Sequence, residues 1–480
     1  MRNLEPKIVW NHFYEITQIP RPSKKEEKIC AYLEEFGKKN NFETKTDRAG
    51  NVLITKPATP GYENHRTVIL QAHMDMVCEK NSDVEFDFEN DPIQTEIREE
   101  WLHAKGTTLG ADNGIGMALM LAVLSSDDLK HPKIECLFTT DEETGLTGAF
   151  ALQENFLTGD ILINLDSEDD GEIYVGCAGG IDTTAHMRYK TKRTPVGYFA
   201  FSVNVSGLLG GHSGDDIEKG HANANKVLNR ILWNMRKEMD LRVAKIDGGN
   251  LHNAIPREAS ALAVIPSADK EKVRVIFNQV AADIESEYKD VETKMRLALQ
   301  SEDVPEETLT KKHTKKLLNA LYACPHGVKA MSKDMPGLVE TSTNLASVKM
   351  LEGHIIKIVT SQRSSVETAK YDIAHQVEAV FRLAGCKVSH GDGYPGWKPN
   401  LKSNVLKVAE KSYEKLFDQV PKIKAIHAGL ECGLFLKKYP HLDMISIGPT
   451  MRGVHSPDER LHIPAVGRSW EWLKGILADL

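Results

Sequence analysis

The chain has 480 residues, 41% of them hydrophobic and 27% charged, which is the composition of globular domains rather than of a disordered chain. That length exceeds one ordinary domain and predicts two or three. A net charge of −8 with scattered Lys and Arg excludes a basic stripe for nucleic acid. The longest apolar stretch, residues 117–124, falls far short of the ~20 residues a membrane helix needs, so no membrane partner is expected. Residues 1–6 show no apolar segment leading to a small-residue cleavage site. The seven cysteines have no CxxC spacing, so free thiols and a reducing, cytoplasmic location are expected.

The first helix signal is Ser23-Lys-Lys-Glu26, which has the form of a capping box, followed by Ile29, Tyr32, Leu33 and Phe36 at helical spacing. Strands are predicted at 51–55 and 67–72, and His73 follows the second in Gln-Ala-His73-Met-Asp75. Residues 114–124 read as a buried helix, placing Asp112 of Leu-Gly-Ala-Asp112-Asn-Gly just ahead of its start. A strand at 134–139 leads into Asp141-Glu142-Glu143, and one at 161–165 leads into Asp166. Strands alternating with helices imply an α/β domain with a largely parallel central sheet, in which ligands bind beyond the carboxyl ends of the strands.

After Gly176-Cys-Ala-Gly-Gly180 the pattern changes. Residues 198–205 alternate apolar and polar, as a half-exposed antiparallel strand does. Helices are predicted near 222–236, 270–288 and 369–384, and strands near 259–265 and 355–361. These describe an inserted α+β domain, 181–393, between a first catalytic part, 1–180, and a second, 394–480. The last part holds a helix at 403–417, a strand at 444–447, His455 in Gly-Val-His455-Ser-Pro, and a short helix at 470–480.

Imidazoles and carboxylates at strand ends are the donor set of a divalent-metal site that keeps a position open for water. The expected ligands are His73, Asp112, Glu143, Asp166 and His455. Each of two metals takes one His and one private carboxylate, Asp112 bridges them, and a water bridges on the other side. Adjacent side chains point different ways, so Glu143 binds metal while Glu142 faces the water as general base. Asp75 hydrogen-bonds the other nitrogen of His73 and orients it. Taken singly, each residue has an ordinary alternative: His73 as a packing residue, Asp112 as a helix cap, the Glu pair as a solvated turn, His455 as a loop residue. The five together carry the metal expectation; no compact signature such as HExxH is present.

His-x-Asp after a strand, Gly-Ala-Asp-Asn-Gly before a helix, Asp-Glu-Glu-x-Gly, and the later Asp and His resemble the co-catalytic zinc peptidases of the aminoacylase and glutamate carboxypeptidase type. Gly210-Gly-His212-Ser-Gly214, Asn253-Ala-Ile-Pro256, Ser361-Gln-Arg363-Ser-Ser365 and His427-Ala-Gly-Leu-Glu431-Cys-Gly433 extend the similarity over essentially the whole chain, and within the family it is strongest to dipeptidases. The resemblance implies a catalytic domain interrupted by a lid and two divalent ions, Zn2+ or alternatively Co2+ or Mn2+. It also implies that His212 from the lid stabilises the oxyanion and that Asn253 and Arg363 contact the substrate. Arg363 suits the terminal carboxylate, which guanidinium pairs bidentately. The lid is about twice the length found in many relatives that dimerise through it, which leaves open whether His212 acts within a chain or across a homodimer.

The expected activity is metal-dependent hydrolysis of unblocked dipeptides, including Xaa-His and extending to β-alanyl-histidine. The nearest rival is a metal-dependent deacylase or carboxypeptidase of N-acyl amino acids; a rival of another class is a non-catalytic binding protein on the same fold.

Overall fold

The computed structural model describes all 480 residues. They divide into two compact units. One comprises Met1–Cys177, Trp397–Ala425 and Leu430–Leu480; the other comprises Ala178–Gly396 and the short return Ile426–Gly429.

The first unit is built on an eight-stranded sheet. Its strands in chain order are β1 (Glu43–Thr46), β2 (Val52–Lys56), β3 (Val68–His73), β4 (Ile134–Thr139), β5 (Ile161–Asn164), β6 (Glu172–Cys177), β7 (Lys422–Ile426) and β8 (Asp443–Ser446). They lie in the order β1-β2-β4-β3-β5-β8-β6-β7. The central four, β4, β3, β5 and β8, are parallel; β2 pairs β4 and β6 pairs β8 in the antiparallel sense. Every residue of β3, β4 and β5 is buried. Strands covered on both faces read as continuous apolar runs rather than alternations, and Val68-Ile-Leu and Ile161-Leu-Ile do so. The sequence placed these strands within one residue at each end.

Three helices precede the site or lie within it: α1 (Lys7–Thr17), α2 (Glu27–Lys39) and α3 (Ala111–Ser125). Helix α3 is apolar nearly all round and packs against α1 and β3. Asp112 and Asn113 at its start have non-helical dihedrals, so the regular turns begin after them. The capping-box expectation for α2 needs correction. Ser23 makes no cap bond; its Oγ donates to Asp75 Oδ2 at 2.7 Å, and Glu26 Oε1 accepts from the N–H of Asp141 at 3.0 Å. Both side chains are held by the strand-end loops instead. Helix α1 and the four-stranded sheet Thr95–Arg98, Trp101–Ala104, Arg460–His462 and Met451–Arg452 carried no signal strong enough to be predicted. In that sheet Met451 faces Leu461 and Arg452 faces Arg460, which makes 453–459 a hairpin loop. The terminal helix is Ile463–Asp479, longer than expected because Pro at its first turn starts it early.

The second unit carries a nine-stranded antiparallel sheet in the order Arg296–Glu302, Tyr198–Ser206, Ala259–Pro266, Arg242–Gly248, Val339–Leu351, Ile355–Ser364, Gly179–Arg188, Lys387–His390, with Gly327–Met331 also paired to Val339–Leu351. Helices α4 (Ala224–Glu238), α5 (Lys270–Tyr288), α6 (Lys311–Ala323) and α7 (Glu367–Leu383) contribute to its core. Val227, Leu228, Ile231, Leu232 and Met235 recur along α4 at helical spacing and are all buried, each contributing about 1.5–3 kcal/mol of apolar burial.

Candidate active site

The carboxyl ends of the parallel strands deliver the site. His73 ends β3 and Asp75 follows it; Asp141-Glu142-Glu143 follows β4; Asp166 follows β5. His455 comes from the hairpin loop, where its φ of 61° is left-handed. Asp112 joins them from the head of α3.

Two three-residue groups form, and they share Asp112. His73, Asp112 and Asp166 make one; Asp112, Glu143 and His455 make the other. His73 Nε2 lies 3.0 Å from Asp112 Oδ1 and 3.4 Å from Asp166 Oδ1. His455 Nε2 lies 3.1 Å from Asp112 Oδ2 and 3.0 Å from Glu143 Oε2. The two oxygens of Asp112 therefore face two different centres. Glu142 also comes within ligand distance of His73 and Glu143, but it belongs to neither Asp112 group.

Charge balance supports divalent cations here. Burial raises the Asp166 carboxyl to about 6; Asp112 and Glu143 add to the rise, and His73 opposes it. Burial also pushes Glu142 well above the ordinary carboxylate range, reinforced by Asp166, Glu431 and Glu143. Hydrogen bonds to Asp112 and Glu143 hold the His455 imidazole up at about 11, against its burial. The side chains thus demand positive charge at two places. Glu143 Oε1 is buried without a hydrogen-bond partner. An oxygen-rich, imidazole-containing donor set with an unsatisfied carboxylate oxygen fits divalent metal.

Asp75 is fully buried and does more than face one ring. Its Oδ1 lies 3.3 Å from His73 Nδ1 and accepts from the Glu142 N–H at 3.0 Å; its Oδ2 accepts from the Glu143 N–H at 3.2 Å. Burial alone would raise this carboxyl, but His73, Ser23 and the Glu142 amide outweigh it and hold it at about 2. One carboxylate therefore sets both an imidazole and the backbone that carries the Glu pair. Asp141 closes the same turn: its oxygens accept from the hydroxyls of Thr144 and Thr147.

Three participants were not singled out from the sequence. Glu459 accepts from the N–H groups of Leu109 (2.7 Å), Gly110 (3.0 Å), Ala111 (2.7 Å) and Asp112 (3.3 Å). It sits four residues beyond His455, so one hairpin supplies an imidazole and the anchor for the Asp112 segment. The buried Arg21 donates to the carbonyls of Met74 (2.8 Å), Asp75 (2.6 Å) and Gly110. Glu431 was quoted only within a motif; it accepts from Gln71 Nε2 at 2.6 Å and Thr139 Oγ1 at 2.8 Å, and burial pushes it up to about 8. Glu459 and Arg21 bind main chain, and Glu431 binds side chains distant in sequence; neither leaves a local sequence pattern, which is why these escaped.

In the second unit, His212, Ser213 and Arg363 come together. The Arg363 guanidinium, 6% exposed, meets only uncharged or imidazole partners: Ser213 Oγ at 3.3 Å, Tyr394 Oη at 2.9 Å and His212 Nε2 at 3.2 Å. A buried cation without a carboxylate partner is suited to an anionic ligand. Asn253 is exposed, and its carbonyl accepts from the Ser213 N–H at 2.8 Å. A Cβ on Gly214 would come 2.2 Å from the His427 carbonyl, which explains the glycine that ends Gly-Gly-His-Ser-Gly.

The profile described as Peptidase family M20/M25/M40 matches residues 69–479. The chain belongs to this family. As a member of M20 it is a metallopeptidase, a hydrolase that uses divalent metal. It is 43% identical to the cytosol non-specific dipeptidase of Escherichia coli (strain K12) over 480 residues, covering 100% of this chain and 99% of that one. The crystal structure of aminoacylhistidine dipeptidase from Vibrio alginolyticus is similar with a TM-score of 0.93 and 42% identity, covering 99% of this chain and 97% of that one. Aminopeptidase PepT from Bacillus cereus, at 17% identity and a TM-score of 0.58, with 99% of each chain covered, shares the M20 fold.

Proposed function

We propose that the protein is a cytoplasmic dipeptidase that binds two zinc ions and hydrolyses unblocked dipeptides, Xaa-His among them. The observation that carries this is the pair of side-chain groups sharing Asp112, each with its own imidazole and its own carboxylate. The full-length similarity to two dipeptidases supports the substrate class, and the word cytosol in the name of the Escherichia coli relative supports the location.

His73, Asp112 and Asp166 would hold one ion and Asp112, Glu143 and His455 the other. When bound, the ions polarise the scissile carbonyl and make water more acidic. Glu142 takes the proton of the attacking water and delivers it to the leaving amine. Burial and neighbouring carboxylates raise its proton affinity in the metal-free site. Asp75 keeps His73 oriented and fixes the main chain of the Glu pair. Arg363 and Asn253 are assigned the substrate, Arg363 through its terminal carboxylate. His212 is assigned the negative charge that develops on the carbonyl oxygen, supplied within a chain or across a homodimer. Mixing Glu142→Ala with His212→Ala chains separates those two, because only exchange across a dimer restores activity.

The deciding experiment compares a free dipeptide with its N-acetylated form on zinc-loaded protein. Preferential cleavage of the free form is expected; preference for the acetylated form would instead make this a deacylase, and cleavage of neither would favour a binding protein.

A further inference from the structure

Away from the catalytic groups, His375 and Glu378 on α7 and His390 on the edge strand Lys387–His390 bring their ligand atoms within 4.8 Å of one another. His390 Nε2 lies 2.9 Å from Glu378 Oε2, and the two imidazoles meet edge-on with centroids 6.0 Å apart. The other oxygen of Glu378 accepts from Arg382 Nε, one turn further along the helix. His375 is exposed, and Glu378 and His390 are half-buried.

The hydrogen bonds behind His390 fix which of its nitrogens is basic. Thr360 Oγ1 donates to the Thr183 carbonyl at 3.3 Å, so its oxygen accepts from Gln362 Nε2 at 2.7 Å. That sets the amide of Gln362, whose Oε1 then takes the hydroxyl proton of Thr183 at 2.7 Å. Thr183 Oγ1 has no second proton, so at 2.9 Å it accepts from His390 Nδ1–H. The neutral ring therefore presents the lone pair of Nε2 toward Glu378 and His375. A partner on the far nitrogen that fixes tautomer and orientation is the usual support of a metal-binding histidine. Arg382 does the same for the carboxylate, leaving Oε2 turned toward His390 Nε2.

We propose that His375, Glu378 and His390 form a binding site for a divalent transition-metal ion, Zn2+ or Co2+, with three protein ligands and a position open to water. Two imidazoles and one carboxylate match the preferences of such ions and not those of Ca2+ or Mg2+. Its occupation would tie α7 to the edge of the nine-stranded sheet.

Equilibrium dialysis of the full chain against Zn2+ at micromolar free concentration tests this. The wild type should bind one equivalent more than His375→Ala or His390→Ala, and both variants should keep full dipeptidase activity. His375 is on the surface, so its loss does not endanger folding. Thr183→Val, which removes the tautomer lock, should weaken the additional equivalent by roughly tenfold or more. Equal metal counts in the wild type and both histidine variants would overturn the proposal and leave His390 and Glu378 as a hydrogen-bonded pair.

Discussion

At the scale of single residues, adjacent positions carry unlike tasks. Glu143 faces His455 at 3.0 Å, whereas Glu142 stands outside both groups that contain Asp112. Glu142→Ala should lower kcat by about 10²–10⁴-fold with metal content unchanged. Glu143→Ala should lose about one metal equivalent, counted by elemental analysis. Asp75→Asn keeps the size of the side chain but removes its charge from His73 and from two backbone N–H groups. Activity or metal affinity should fall about 10–100-fold, read from kcat and from a metal titration. A different residue contributes to acid sensitivity. His427, buried with Nε2 2.7 Å from Ser342 Oγ, is pushed by burial, and then by Arg363 and His212 with Asp215 opposing, down to about 4. Its folded-state value lies below the ordinary 6.5, so the unfolded chain gains the proton first as pH drops. The stability tied to its neutral ring is full above pH 6.5 and is lost between 6.5 and about 4, up to about 3 kcal/mol. Denaturant titrations at pH 7 and pH 4.5 should show a smaller pH-dependent loss in His427→Gln than in the wild type.

At the scale of elements, the hairpin loop 453–459 and the head of α3 form one device. Glu459 satisfies four backbone donors, and Glu459→Ala leaves them buried without an acceptor. The loss should be about 2–4 kcal/mol in unfolding free energy, together with weaker metal binding, because Asp112 loses its anchor. Elsewhere in the first unit the fully buried Trp472 packs edge-on against Tyr413 and donates to the Ala409 carbonyl at 2.9 Å. Trp472→Ala should lower the denaturation midpoint by the equivalent of about 3–5 kcal/mol. The sequence showed elements of this kind where periodicity is strong. Lys270–Tyr288 and Ile134–Thr139 carry the predicted limits at both ends, because long amphipathic helices and wholly buried strands are set by burial alone. Helix α1 and the strand Thr95–Arg98 were invisible: one has no capping side chain, the other is short and largely exposed. The candidate metal residues were visible as residue types at strand ends. Their division about Asp112 was not, since it depends on which carboxylate oxygen faces which ring. Glu459 and Arg21 act on main chain groups far away in sequence, and no local spacing records that.

At the scale of the whole molecule, each unit has an apolar core of its own making, and the metal-type residues lie at strand ends, at the head of α3 and in the hairpin loop. Chelation should therefore abolish turnover while leaving far-UV circular dichroism unchanged, unlike small domains that fold only around their ion. Readdition of Zn2+ should restore activity, and collapse of the spectrum on chelation would contradict this picture. Strand β8 has a further consequence. It lies inside the sheet between β5 and β6, although it is formed by Asp443–Ser446, nearly 270 residues after Glu172–Cys177 were laid down. While the polypeptide is still emerging from the ribosome, β6 has no neighbour through which to join β5. The waiting edge of β5 is apolar and unpaired until residue 446 has been translated, and His455 and Glu459 follow it out. The nascent chain must therefore shield a sticky sheet edge for much of its synthesis, which makes a stalled or prematurely terminated product a natural client for chaperones.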